Sequence, residues 1–407
     1  MTLKKLLSKH FFIVLFGLGV MYFTGIGQTF FFAQFNPFIM DSLSLSRTDL
    51  SFVYSLATFL ASFNLTMIGS FLDKMKLQHF FWLVVLFIAI GFTTLSFATG
   101  TVTMFFAFYL IRGFGQAPLG MMATTTATRF FGKHRGKLLT LIGPGRSLSE
   151  GTLPLLSLSL IGLWGWQNAL LSILAFFLIS ATIMSIFLIP KVPTEPLYPE
   201  KDTNTAEFKN ASEVTWKQIF KEKWPVLAML CNAIIPFVAT GLFFQQDSIA
   251  AYKEWNLQVF ASAFTFFSIG HFSTGLLTGP LIDRYTATKI LPYGLIPFLL
   301  GLLILNFFDF EFAAYLYLGC FGVSVAMTSM VRQAFFAENF ALKRLGKIKG
   351  MDSNVMVVGT SLAPIFYAKL IDFNVQVSEI LYLLMGLVTL GFMGYFFISR
   401  HYLLKLK

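Results

Sequence analysis

Apolar residues run along this chain in long blocks separated by short polar stretches. A helix needs about 20 consecutive apolar residues to cross ~30 Å of hydrocarbon. Blocks of that length fall at 10–34, 50–72, 79–99, 102–127, 137–162 and 168–190, and again at 224–245, 258–281, 290–308, 312–337, 350–372 and 377–399. The pattern predicts an all-α membrane protein with 12 transmembrane helices in two sets of six. Residues 1–190 form one bundle, 191–223 a polar cytoplasmic connection and 224–407 the second bundle. The block from Phe11 to Val20 resembles a signal peptide. No small-residue cleavage site follows it and more spans do, so it reads as a retained first helix.

The two sets of six are related. Gly69 to Leu77 reads GSFLDKMKL, and 210 positions later Gly279 to Ala287 reads GPLIDRYTA. Gly69 aligns with Gly279, Asp73 with Asp283 and Lys74 with Arg284, while Gly136-Lys137 aligns with Gly346-Lys347 and Pro154 with Pro364. Phe130-Phe131 has a rough counterpart in Phe335-Phe336. Several matches at one offset predict two pseudo-symmetric halves of one architecture.

Composition agrees with a bilayer as the solvent. Of the 407 residues 56% are hydrophobic and 12% charged, against about 25% charged in a soluble chain. The net charge of +11 is concentrated in short loops, which is a topology signal and not a nucleic-acid patch. With the N-terminus inside, the inner segments hold 24 of the 30 Lys and Arg, and the outer loops hold only Arg47 and Lys253. That bias places both termini in the cytoplasm of a chain embedded in the cytoplasmic (inner) membrane. Cys231 and Cys320 each lie in an apolar block and suggest no disulfide, metal or redox chemistry. No cofactor is expected. Within the connection, Ser212 to Glu222 is expected to form a short amphipathic helix capped by Ser212, with Val214, Trp216, Ile219 and Phe220 on the membrane interface.

Two six-helix halves, each with a GxxxD[KR] loop after its second helix, resemble the major facilitator superfamily. The loop motif of that family reads G-x-L-x-D-R-x-G-R. Gly69, Asp73 and Lys74, then Gly279, Leu281, Asp283 and Arg284, match it, and the later Gly and basic positions do not. The resemblance implies that these residues gate the inner side through contacts that break on every cycle. SRTDLS (46–51), RFFGKHRGK (129–137) and GWQ (165–167) further resemble the monocarboxylate and oxalate–formate branch. In that branch an arginine of the eighth span contacts the substrate carboxylate. Gly275 stands at the matching position here, and His271 is the ionisable group of that span.

Charges inside spans point to a substrate path, because an unpaired one at mid-bilayer costs at least ~2.5–3.5 kcal/mol. Arg112 sits in RGFGQAPLG of the fourth span and is expected to face a cavity. Arg146 and Glu150 are one turn apart after Gly143-Pro144-Gly145. Either they neutralise each other, or Arg146 binds an anion while Glu150 carries a proton. Arg332 either faces the cavity or snorkels inward, and Lys369 is expected to snorkel outward. Asp352 is expected at a helix start. His271 is a proton-coupling group or a hydrogen-bonded packing residue. Gln28, Asn232, Gln245 and Gln246 are candidate neutral donors to a solute.

The chain has no H-E-x-x-H, no nucleophile elbow and no phosphate-cradling G-x-x-x-x-G-K-[ST], which argues against an enzyme. These readings together describe a monomeric secondary transporter of a small anionic or zwitterionic, carboxylate-like solute, with protons as the candidate coupling ion. Its solute would bind near the midplane, open to each side in turn. An exporter of amphiphilic or aromatic compounds and a non-transporting membrane receptor are the competing readings.

Overall fold

The computed structural model of the protein describes residues 3–131, 134–193 and 216–405. Within bilayer hydrocarbon every backbone N–H and C=O must find a partner inside the protein, which a helix provides locally. Every regular element among the described residues is helical. The chain divides into two compact units, Met1–Lys201 and Asp202–Lys407.

In the first unit the first span is Phe11–Phe23, tightened at Thr24–Gly27 and resumed at Thr29–Phe32. The second is Arg47–Phe63 followed by a leg that ends at Lys74, bent by 47°. The third is Leu77–Ser96, and the fourth joins Thr101–Gly115 to Ala117–Phe131. The fifth starts as Arg135–Ile142, breaks at Gly143 and resumes at Pro144–Ile183. Proline at a helix start lacks the N–H that would be unsatisfied there anyway, so the Gly-Pro pair divides this span. The resumed helix has 40 residues. At 1.5 Å per residue it would measure ~60 Å if straight, twice the hydrocarbon thickness. Gly165, at φ 77°, breaks it into two legs, which are the fifth and sixth spans. The loop expected at 163–167 is therefore reduced to one non-helical residue.

In the second unit the spans are Lys223–Phe244, Leu257–Tyr285, a broken stretch from Ala287–Ile290 to Ile296–Phe307, then Phe312–Asn339, Leu342–Asp372 and Val377–Lys405. Eight helical stretches among the described residues are long and apolar enough to cross a membrane, the kinked run from Arg135 and the broken stretch from Ala287 among them. The remaining crossings are made by broken helices. The eleventh span starts at Leu342, so Asp352 lies inside the helix and not at its start.

The repeat extends to packing. Ser46 caps the second span, its Oγ accepting from Asp49 N at 3.1 Å while Asp49 accepts from Ser46 N at 3.3 Å. SRTDLS thus includes a capping box. Asn256, 210 residues later, caps the eighth span by accepting from Gln258 N at 2.9 Å. A Cβ on Gly91 would come within 2.6 Å of Ile111 Cγ1 and 3.2 Å of Ala107 O. One on Gly301 would come within 2.8 Å of Phe321 and 3.0 Å of Tyr317 O. All three positions shift by 210, so the third span packs on the fourth as the ninth does on the tenth.

Of the expected amphipathic helix, Trp216–Phe220 is observed, and Ser212 and Val214 lie outside the described residues. Ile219 is fully buried and Phe220 is 59% exposed. Ile219 therefore packs into the protein, where burial of its apolar surface from water is more complete than at an interface.

Candidate polar sites in the two units

The first unit gathers its polar groups around the break in the first span. Arg112, 8% exposed, donates from Nη1 to Gly27 O at 2.5 Å and from Nε to Thr58 Oγ1 at 3.2 Å. Its guanidinium carbon lies 5.4 Å from the centre of the Tyr54 ring. Tyr54 is fixed in turn by a 3.0 Å hydrogen bond between its hydroxyl and Thr29. One turn beyond Arg112, Gln116 Nε2 donates to Gln28 Oε1 at 3.2 Å. Gln28 is also buried, and its Nε2 has no acceptor among the described residues. The fourth span therefore holds both sides of the turn at Gly27-Gln28. All of the observed partners of Arg112 are uncharged, so its positive charge is solvated by dipoles and a ring, and no carboxylate among the described residues pairs with it.

Arg146 and Glu150 make the expected one-turn pair, Nε to Oε1 at 3.0 Å. The pair is lopsided: the Arg146 side chain is 44% exposed and that of Glu150 3%. The carboxylate is buried while the guanidinium reaches out of the packed interior. Ser149, beside Glu150, faces Gly25 of the first span. Both polar groups of this unit thus abut the same broken helix.

The second unit holds a network that joins four spans. Arg332 donates from Nη1 to Asp352 Oδ2 at 2.8 Å, and Asn232 donates from Nδ2 to Asp352 Oδ1 at 2.6 Å. Tyr395 donates its hydroxyl to Asn232 Oδ1 at 2.5 Å. Arg332 also touches the sulfur of Met356. The side chains of Arg332 and Asp352 are 17% and 4% exposed, so this pair is desolvated and both carboxylate oxygens are engaged. Of the two readings of Arg332, inward snorkelling does not describe its position. His271 is half-buried on the eighth span, its ring 5.9 Å from Phe267, and is not a member of this network. Lys369 is exposed near the end of its span. Gln245 donates to the carbonyl of Pro364 at 3.2 Å, and Gln246 is buried.

The two GxxxD[KR] loops differ in detail. Asp73, exposed with Lys74, accepts from Arg129 Nη2 at 2.8 Å and holds the end of the second span to the end of the fourth. Gly69 faces Met121 of the fourth span. In the second unit Asp283 and Arg284 are exposed, Arg284 lies 5.0 Å from the Tyr285 ring, and Gly279 has open space beside it. Backbone N–H groups at the start of the following helix are accepted by Glu338 of the tenth span and not by Asp283. Ala287 N donates to it at 2.7 Å and Thr288 N at 3.0 Å. A carboxylate near a helix start is favourable wherever it comes from, and Glu338 is the one the packing brings there.

Several participants carry no distinguishing signal in the sequence. Tyr54, Thr58 and Tyr395 are ordinary residues of apolar spans whose partners are remote in sequence. Glu338 sits at the end of a span, where a carboxylate resembles any loop charge. Arg129 lies within the RFFGKHRGK motif, which by itself assigns it no partner.

Long apolar helices, several of them broken, with arginines and carboxylates paired in their interior, describe a polytopic membrane protein. The chain belongs to the Major Facilitator Superfamily, whose sequence profile matches residues 14–248 and 238–406. Among solved structures it is similar to a bacterial homologue of the human lysosomal transporter Spinster, in an inward-facing, unoccupied conformation. The TM-score is 0.71 at 13% identity, over 97% of this chain and 98% of that one. The same homologue in its occupied conformation gives 0.68 at 13% identity, over 96% and 97%. The nucleoside transporter NupG gives 0.67 at 12% identity, over 97% and 100%. No curated protein sequence matches this chain.

Proposed function

We propose that this protein is a secondary active transporter that moves a small anionic or zwitterionic organic solute, carboxylate-like in its recognition group, by alternating access. The half-exposed Arg146, oriented by buried Glu150, carries the reading. A guanidinium presents paired N–H donors that match a carboxylate, and its orientation is set before the solute arrives. Arg112 adds an uncancelled positive charge to the same unit, and Gln28 adds an unused buried donor beside it. The resemblance of SRTDLS, RFFGKHRGK and GWQ to the monocarboxylate branch points the same way.

Glu150 and His271 are the candidate proton carriers, and Arg332 and Asn232 are the candidate solute-binding residues of the second unit. Gly69, Asp73, Lys74, Gly279, Asp283 and Arg284 serve the inner gate. The Asp73–Arg129 contact is exposed, so it is worth on the order of 1 kcal/mol or less and is weak enough to open on each cycle. The distribution of Lys and Arg favours the cytoplasmic membrane with both termini inside, and the protein acts as a monomer.

The test is counterflow in proteoliposomes with a panel of labelled small carboxylates, amino acids, nucleosides and lipophilic cations. A carboxylate or zwitterion should exchange, and Arg146→Ala should abolish that exchange while Arg146→Lys retains part of it. Exchange of lipophilic cations alone would establish the amphiphile exporter instead. Saturable binding without any counterflow would establish the receptor.

A further inference from the structure

The inner end of the second unit carries a groove of about 1020 Å³ that none of the polar sites above uses. It is framed by the end of the eighth span, the start of the ninth and the end of the twelfth. Lys289 and Arg400 both line it, both are exposed, and no acidic residue is among its lining residues. The rest of the lining is largely apolar and open, with Leu281 40% exposed and Phe396 52% exposed. Tyr285 and Tyr293 also line it, 45% and 58% exposed, and rings with one polar end favour a headgroup layer.

We infer that this groove is a binding site for an anionic phospholipid. The phosphate sits between Lys289 and Arg400 and an acyl chain lies along Leu281 and Phe396. Charge complementarity selects the headgroup, and the apolar wall selects a ligand with a hydrocarbon tail over a free anion. The site is also held in shape. Glu338 fixes Ala287 N and Thr288 N, the two residues immediately before Lys289, and accepts from the Thr288 hydroxyl at 3.0 Å as well. Lys289 therefore projects from a braced turn.

Native mass spectrometry of the detergent-purified full-length protein, titrated with phosphatidylglycerol, phosphatidylcholine or glycerol 1-phosphate, tests the inference. Phosphatidylglycerol should bind in preference to phosphatidylcholine. Lys289→Ala or Arg400→Ala should each weaken it about fivefold and the double variant about thirtyfold, at about 1 kcal/mol per basic group. Lys221→Ala, which removes an exposed cation outside the groove, should leave binding unchanged. The melting temperature in detergent without lipid should be the same for all variants, so a binding loss is not a folding loss. Equal binding of the two lipids, or full phosphatidylglycerol binding by the double variant, overturns the proposal. Competition by glycerol 1-phosphate at lipid concentrations would assign the groove to a soluble phosphate and overturn it equally.

Discussion

At the scale of single residues, the three intramembrane arginines are solvated in three different ways. Arg112 is held by a carbonyl, a hydroxyl and a ring, Arg146 by one buried carboxylate, and Arg332 by a carboxylate that is itself held by Asn232. Arg112→Lys should lower stability by about 1–3 kcal/mol, because one ammonium cannot reach both Gly27 O and Thr58 while lying over Tyr54. Thermal unfolding in detergent measures this, and an unchanged midpoint would contradict the bridging role. Glu150→Gln should preserve the fold but remove any stimulation of uptake by an imposed pH gradient. If both Glu150→Gln and His271→Ala kept that stimulation, neither residue would be the proton carrier. The arginines themselves are legible in the sequence, since charge is rare in apolar blocks. Their partners are not, because Gly27 O is a backbone atom and Thr58 one of many hydroxyls. Asp352 is legible as a charge but not in its place, since the hydropathy boundary near 350 falls well inside a helix that extends into the basic loop.

At the scale of elements, the second and eighth spans begin with equivalent caps and the third and ninth pack through equivalent glycines. Ser46→Ala and Asn256→Ala should each cost about 1 kcal/mol. Gly91→Val and Gly301→Val should each cost about 1–3 kcal/mol, since backbone or a packed side chain stands where the new atoms would go. Paired effects of similar size in a thermal-shift series would express the repeat energetically; a loss in only one half would count against equivalent packing. The twofold pattern is legible because Gly, Asp and Pro punctuate both halves at one offset. The break between the fifth and sixth spans is legible as the boundary at 163–167, but its reduction to Gly165 alone is not, because only a backbone dihedral marks it.

At the scale of the whole molecule, the two units share a scaffold and differ in charge. The position 210 residues after Arg112 is Gly322, which packs against the carbonyl of Phe267 and has no room for a side chain. Asn232, Asp352 and Tyr395 likewise have Tyr22, Ile142 and Ser185 as their counterparts. Duplicated helices thus supply the architecture, and unduplicated residues supply the chemistry. Equivalent loops should also lie on one side of the membrane. In a Cys231→Ser/Cys320→Ser background, an impermeant maleimide should label Lys74→Cys and Lys289→Cys from the same face and Glu254→Cys from the opposite one. Labelling of the first two from opposite faces would refute the equivalence of the loops.

Gly165 carries a practical corollary. With one non-helical residue connecting two helical legs, there is little slack to absorb an extra amino acid. Each residue inserted into a helix turns its downstream part by about 100° and would swing Trp166 and Ala169 away from the interior. A transposon or codon-insertion library selected for expression should therefore be empty of survivors around this position, and epitope tags meant to report from that face should be sited elsewhere.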